Sequence, residues 1–409
     1  MSDARATPVG GKLLTPFFKA LIAVWAVGSA FGLVRFARGL GAATAMNDGY
    51  PWGIWIAVDV VVGTALGSGG FAVALLVYFM NRRRLHPLMR PALLTSALGY
   101  TAGATAIVFD VGRYWNLWRV PIAPLTGRRF YFNWTSGLLE VALCVMAYTA
   151  VLWLEVAPPV LETLSSRAGR LGRVAGALLG PLRKALPVVL ALGLVLPMMH
   201  QSTLGSLLMV AGTKLHPLWH SPLLPLLFLV GCVGMGYAAV VAEATFSARA
   251  FGRPVERRML ASLAPVMAFA AGAFAVLRVA DVAMRGRLGL ALAADWHALL
   301  FWAEVLLASF ASLRLASRRT GEDPGALLRA SALLAAGGAI YRLDVYLVAF
   351  DPGNGWRYFP SVGEIAITLG IMAVETMVYV FAVRTFPIRA APREARPAPA
   401  RPAAPLAAS

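Results

Sequence analysis

Ten long apolar stretches, each interrupted by few polar positions, dominate the pattern of this chain. They run near residues 15–35, 53–80, 91–113, 135–157, 187–209, 223–246, 260–282, 297–316, 326–349 and 364–386. Each is long enough to cross roughly 30 Å of hydrocarbon as a helix. The period-2 alternation of a membrane barrel is absent. The pattern predicts an all-α integral membrane protein with about ten transmembrane helices. Residues 1–14 form an N-terminal tail, 15–386 a polytopic transmembrane domain, and 387–409 a disordered Pro/Ala/Arg tail. The first stretch lacks a small-residue cleavage site and reads as a retained span. Gly63, Gly67, Gly69 and Gly70 in the second stretch allow close helix contact.

The polar positions inside these stretches carry the candidate chemistry. A charged side chain within a bilayer costs at least roughly 2.5–3.5 kcal/mol on insertion scales, so each one needs a reason. Asp59 lies about 9 Å into the second span, and Glu140 equally deep in the fourth, at 1.5 Å per residue. Asp110 and Arg113 close the third span, with Tyr114 just beyond, and His200, Gln201 and Ser202 fall in the fifth. These groups are expected in one layer. Asp110, Arg113 and Tyr114 have the i, i+3, i+4 spacing of one helical face. Two readings of them are open: an Asp–Arg pair that locks the helix end, or part of a ligand site. Carboxyls and a histidine held together inside a membrane suit a ligand that takes up or releases protons, and a quinone head group is such a ligand. Its flat ring packs on a residue such as Trp55. Tyr100, Tyr148 and Glu155 either extend a proton path or serve packing and anchoring. In the second half, Arg278 with Asp281, Glu304, Arg342, Asp344, Glu364 and Glu375 are expected to pair with one another.

Composition agrees with lipid as the solvent. Of 409 residues, 59% are hydrophobic and 14% charged, and the mean hydropathy is +0.70. The net charge of +18 raises nucleic acid as a partner, but most of the 37 basic residues fall in alternate connections, on one side of the membrane. The positive-inside rule then puts both termini in the cytoplasm and makes nucleic-acid binding unnecessary. Residues 158–186, with RAGRLGR, read as a long cytoplasmic connection that lies as a basic amphipathic segment on anionic lipid. The other side carries aromatic loops at 47–55, 114–134, 214–222 and 350–360. An interfacial aromatic belt and a docking surface both account for them. The two cysteines, Cys144 and Cys232, do not suffice for an iron–sulfur cluster, and His200 with His297 is the one conceivable haem pair among five histidines. No haem is expected.

Several motifs add a resemblance. GYPWGIWIAVDVVVGTALGSGG, HPLMRPALLTSALGY, DVGRYWN, LLEVALCVMAY, HQSTLGSLL, KLHPLW and LVAFDPGNGWRYFP together resemble the membrane subunit of periplasm-facing uptake nickel–iron hydrogenases, of the polysulfide reductase or NrfD-type family. The resemblance covers roughly residues 10–390. It implies a haem-free subunit of two four-helix bundles plus flanking helices in the bacterial inner membrane. That subunit sits beneath a periplasmic ferredoxin-like iron–sulfur subunit, which connects to the [NiFe]-hydrogenase large and small subunits. It passes electrons to menaquinone or ubiquinone. Tyr100, in LGY, and Glu140, in LLE, match residues of the family implicated in quinone reduction or proton transfer. The loop 118–131 is longer and more basic than the family pattern.

The resulting expectation is a quinone-reducing anchor subunit. Glu140, Tyr100, Asp110 and His200 are its acid–base groups, and Asp59, Trp55, Arg113, Tyr114 and Gln201 hold the quinone. Two alternatives stand beside it: the same quinone role with a molybdopterin oxidoreductase or multihaem cytochrome, and a stand-alone proton or solute transporter.

Overall fold

Helix ends in this chain are written by short polar signals at the edges of the apolar runs. Thr15 precedes Pro16 and accepts the Phe18 N–H at 3.2 Å. Ser136 and Asp295 cap the helices that follow them, and Asp323 does so just before Pro324. Ser361 and Glu364 form a reciprocal capping box. The computed structural model describes residues 6–122, 125, 126, 129, 130, 133, 135–253 and 255–390.

Among the described residues, ten helices are long and apolar enough to cross a membrane. They are α1 (Pro16–Arg38), α2 (Trp55–Phe79), α3 (Arg83–Asp110), α4 (Gly137–Ser165), α5 (Arg170–Met209), α6 (Leu224–Ala250), α7 (Arg257–Met284), α8 (Trp296–Ala316), α9 (Pro324–Val348) and α10 (Val362–Thr385). The protein is an all-α, multi-pass membrane protein. Helices α2–α5 pack as one four-helix group and α6–α9 as a second, joined along α2 and α6. Helices α1 and α10 pair with each other and lie beside α3.

Small residues set the close contacts. A Cβ on Gly69 would meet Val240 Cγ2 at 2.9 Å, and one on Gly236 would meet Ser68 O at 2.9 Å, so α2 and α6 touch backbone to backbone. Gly28 and Gly370 do the same for α1 and α10. Helix α2 is not a regular α-helix. It is π-helical over Trp55–Val62 and again over Leu75–Phe79, with a break at Gly67–Ser68. Insertions of this kind gather at functional positions.

Two expectations need correction. The long connection at 158–186 is helical: α4 continues through Pro158 and Pro159 to Ser165, and α5 begins at Arg170. These two helices pack along each other, which holds α4 together past its prolines. The tail expected from 387 begins ordered. Arg389–Ala390 pairs antiparallel with Ala6–Thr7, Ile388 is 1% exposed, and Pro387 O accepts Arg90 Nη1 at 2.9 Å. Residues 1–5 and 391–409, and several in the loop 118–131, lie outside the described residues.

The connections α1–α2, α3–α4, α5–α6, α7–α8 and α9–α10 share one side, called here the aromatic side. Leu215 bridges Phe350, Asn47 donates to Arg357 O at 2.9 Å, and Arg285 donates to Pro217 O at 2.6 Å. Both described chain ends lie on the other side, where Arg90 reaches Pro387 and Val9 N–H reaches Val383 O.

Candidate functional site

The polar residues of the first helical group separate into three sets. The central one joins α2, α3 and α5. Thr64 donates its hydroxyl to Val60 O and accepts the Gln201 Nε2 amide at 3.0 Å. His200 Nε2 lies 3.3 Å from the same oxygen. Since the Thr64 proton is already committed, His200 presents Nε2–H to it and keeps Nδ1 as an acceptor. Gln201 Nε2 also reaches the Tyr100 hydroxyl at 3.5 Å. The Tyr100 ring stands edge-on to Tyr148 at 4.5 Å and lies 5.6 Å from His200. All of these side chains are buried, yet among the described residues His200 Nδ1 and Gln201 Oε1 have no hydrogen-bond partner. Trp55 Nε1, Trp219 Nε1 and the Tyr341 hydroxyl are likewise without a hydrogen-bond partner among the described residues, although buried polar atoms are nearly always paired.

Glu140 stands close by along the chain. It sits in the first turn of α4 and accepts Thr203 Oγ1 at 2.8 Å, and Thr203 is three residues from His200 on α5. It lies nearer its helix start than the sequence predicts, because α4 begins only at Gly137.

The second set faces α10. Asp59, in the π-helical part of α2, accepts Thr368 Oγ1 at 2.8 Å. Trp55, buried in the same segment, packs toward Phe109 with ring centroids 6.0 Å apart.

The third set closes the end of α3, and here the expected helical face does not form. The helix stops at Asp110, Val111 is extended, and a 3₁₀ turn runs from Tyr114 to Arg119. Asp110 accepts the Gly53 N–H at 3.2 Å. The cation beside it is Arg35 of α1, which donates to Phe109 O and Val111 O, both at 2.7 Å. Arg113 is exposed, and Tyr114 packs on Phe36 at 4.7 Å. The single layer expected from depth is therefore three neighbouring sets, of which only the central one brings several candidates together.

In the second half of the chain the expected ion pairing is met only in part and with different partners: among the described residues Arg342, Asp344, Glu364 and Glu375 form no ion pair, and Arg342 donates to Phe228 O instead. Arg278 pairs with Glu304 at 2.7 Å, while Asp281 pairs with Arg285 at 2.6 Å and accepts Ser221 Oγ at 2.6 Å. On the aromatic side His297 stacks on His216 at 4.1 Å, so it and His200 are engaged with different neighbours. Burial, then His297, hold the His216 ring below its ordinary 6.5. Burial and the adjoining Glu364 push the Tyr358 phenol up. Among the described residues no group of three or more His, Cys, Asp or Glu is placed to hold a metal ion.

A crevice of about 260 Å³ opens between α1, α3, α4 and α10. Trp25, Thr101, Thr105, Phe109, Trp153 and Glu375 are among its walls, and none of the nine candidate residues is. Thr64, Thr203, Thr368 and Arg35 escaped the sequence reading. A threonine in an apolar helix usually bonds its own backbone, as Thr64 and Thr203 do, and only the fold shows what else its oxygen meets.

Residues 42–349 match the family described as Polysulphide reductase, NrfD. The chain belongs to the NrfD family. It is 39% identical to the probable Ni/Fe-hydrogenase 2 b-type cytochrome subunit of Escherichia coli (strain K12), over 92% of this chain and 93% of that one. It is 29% identical to the integral membrane subunit of a menaquinone reductase of Nitratidesulfovibrio vulgaris, over 45% of this chain and 40% of that one. The family match includes both four-helix groups and leaves out α1 and α10.

Proposed function

We propose that this NrfD-family chain is the quinone-reducing membrane anchor of a respiratory [NiFe]-hydrogenase complex. Electrons reach it from a periplasmic ferredoxin-like iron–sulfur subunit that carries the hydrogenase large and small subunits. They pass to menaquinone or ubiquinone, which takes up two electrons and two protons to become the quinol. The observation that carries this reading is the pair of partnerless buried acceptors, His200 Nδ1 and Gln201 Oε1, beside the Tyr100 hydroxyl. A quinol offers two hydroxyl donors at opposite ends of a flat ring, and a quinone accepts from a phenol.

Within this reading Glu140, one turn from His200 along the Thr203 contact, acts as general acid toward the reduced ring. Tyr100 and His200 share that duty, while Gln201 orients the ring. Asp59 and Trp55 form the wall toward α10. Asp110 and Tyr114 shape the rim on the aromatic side, and exposed Arg113 meets the docked subunit. Basic residues crowd the opposite side, so both termini are cytoplasmic in the bacterial inner membrane and the aromatic side is periplasmic. Protons drawn from the cytoplasm, with Tyr148 and Glu155 as candidate carriers, would make turnover electrogenic.

Glu140→Gln tests the assignment. Hydrogen-driven quinone reduction should fall by on the order of a hundredfold, the usual loss for an acid–base group, while hydrogen oxidation with an artificial dye stays intact. Equal loss of both activities refutes it. The likeness to a menaquinone reductase subunit supports a second reading, the same quinone role under another redox partner. Nickel in the purified complex supports the first and molybdenum the second.

A further inference from the structure

Helix α10 lies outside the residues matched to the family, and its polar positions form a pattern of their own. Glu364, Thr368, Glu375 and Tyr379 are the polar members of one row. At 3.6 residues per turn they fall within an arc of about 60°, with rises of roughly 6, 10 and 6 Å between successive members. The row covers about two thirds of the helix, from the aromatic side toward the side of the chain ends.

Three members are tied to neighbours. Glu364 accepts the Tyr358 hydroxyl at 2.7 Å and the Ala45 N–H at 2.8 Å. Thr368 donates to Asp59. Tyr379 donates to Glu243 of α6, which also takes Ser247 Oγ at 3.0 Å and Arg389 Nη1 at 3.1 Å. Contacts like these explain themselves as packing between helices. Glu375 does not fit that explanation. No hydrogen bond joins it to any described residue, and its side chain is half-buried. Its carboxyl lies against α3, 3.8 Å from where a Cβ on Gly99 would stand, one residue before Tyr100. A lone carboxyl at that depth is costly, and such residues mark proton or ion pathways.

The crevice supplies what the row lacks. Its α10 wall reaches from Ile367, next to Thr368, to Val378, next to Tyr379, and so spans the long gap on either side of Glu375. Ser29, Thr101, Thr105 and Glu375 are polar groups there; Thr101 and Thr105 donate to Ala97 O and Thr101 O, which leaves their oxygens as acceptors for water. We propose that α10 carries a transmembrane proton path, from Glu243 and Tyr379 through Glu375 and crevice water to Asp59 and Thr368 and on to Glu364 at the aromatic side, with Glu375 as its central carrier. Each step moves one proton from one oxygen to the next, and only O–H bonds form and break. No electron is transferred. The path extends the proton-transfer part of the function proposed above and runs along a helix outside residues 42–349.

The test uses the purified complex containing this chain, in vesicles loaded with a pH indicator. A potassium gradient and valinomycin impose a potential, and protein-dependent proton entry is followed without any quinone. Glu375→Gln should cut that flux on the order of tenfold or more. Glu375→Asp should keep most of it, Tyr379→Phe should lower it, and dye-linked hydrogen oxidation should show every variant assembled. Flux in Glu375→Gln equal to that of the unaltered complex overturns the path. So does flux in the unaltered complex no greater than in empty vesicles. Because quinone reduction is not used, a failed Glu140→Gln test and a failed flux test point to different errors.

Discussion

Arg35 shows how a single side chain redistributes a predicted pair. It is 1% exposed, and its guanidinium caps the carbonyl end of α3 through Phe109 O and Val111 O. The sequence placed Arg113 in that role because three residues separate it from Asp110 on a continuing helix. The helix stops at Asp110, and a cation 75 residues earlier in the chain takes the position. Spacing along one strand of sequence sees local partners; it has no view of α1 folding back beside α3. Arg35→Gln should therefore destabilise the protein by about 1.5–3 kcal/mol, the usual worth of a hydrogen bond from a charged group. Arg113→Gln should stay within about 0.5 kcal/mol, as surface changes do. Thermal unfolding in detergent checks both. His200, Gln201, Tyr100 and Glu140 were legible for the opposite reason: a polar atom in an apolar run is conspicuous whatever it touches. Which of its atoms would be left bare was not.

At the scale of elements, span number and approximate position were readable from apolar length alone, since lipid demands closed backbone hydrogen bonding over some twenty residues. The ends were less so. Helix α5 runs 40 residues where 23 were expected, because a run of Arg, Gly and Pro dilutes the apolar signal without preventing a helix supported by α4. The π-helical turns around Asp59 left no periodic trace. Close crossings are a matter of glycine placement, and α1 against α10 is one of the tight ones to test. A Cβ on Gly28 would come 2.6 Å from Ala366 O and 2.8 Å from Gly370 Cα. Gly28→Ala should lower stability by about 1–3 kcal/mol, in the range of overpacked interiors. Gly41→Ala, where nothing stands within 4 Å, should not. Parallel melting curves of the two variants decide it.

Over the whole molecule, charge distribution and architecture agree. The connections shared with both chain ends hold Arg82, Arg83, Arg84, Arg167, Arg253 and Arg319, while aromatic residues such as Trp115, Trp118, Trp356 and Phe359 stand exposed on the other side. Under the positive-inside rule a fluorescent protein fused after Ser409 should fold and glow, and alkaline phosphatase fused there should stay inactive. The reverse result inverts the assignment of sides and with it the placement of the docked subunit. The division into two four-helix groups with two flanking helices was legible only through family resemblance. No periodicity distinguishes a helix inside a bundle from one beside it when lipid and protein are equally apolar.

The hairpin of α4 and α5 has a practical corollary. Forty residues at 1.5 Å each make a rod of about 60 Å, twice the thickness of the hydrocarbon layer. A micelle or nanodisc cannot swallow such a rod, so one fin should break its smooth outline. Electron micrographs of a particle with so few surface features would gain an off-centre landmark, by which top can be told from bottom before any subunit is docked.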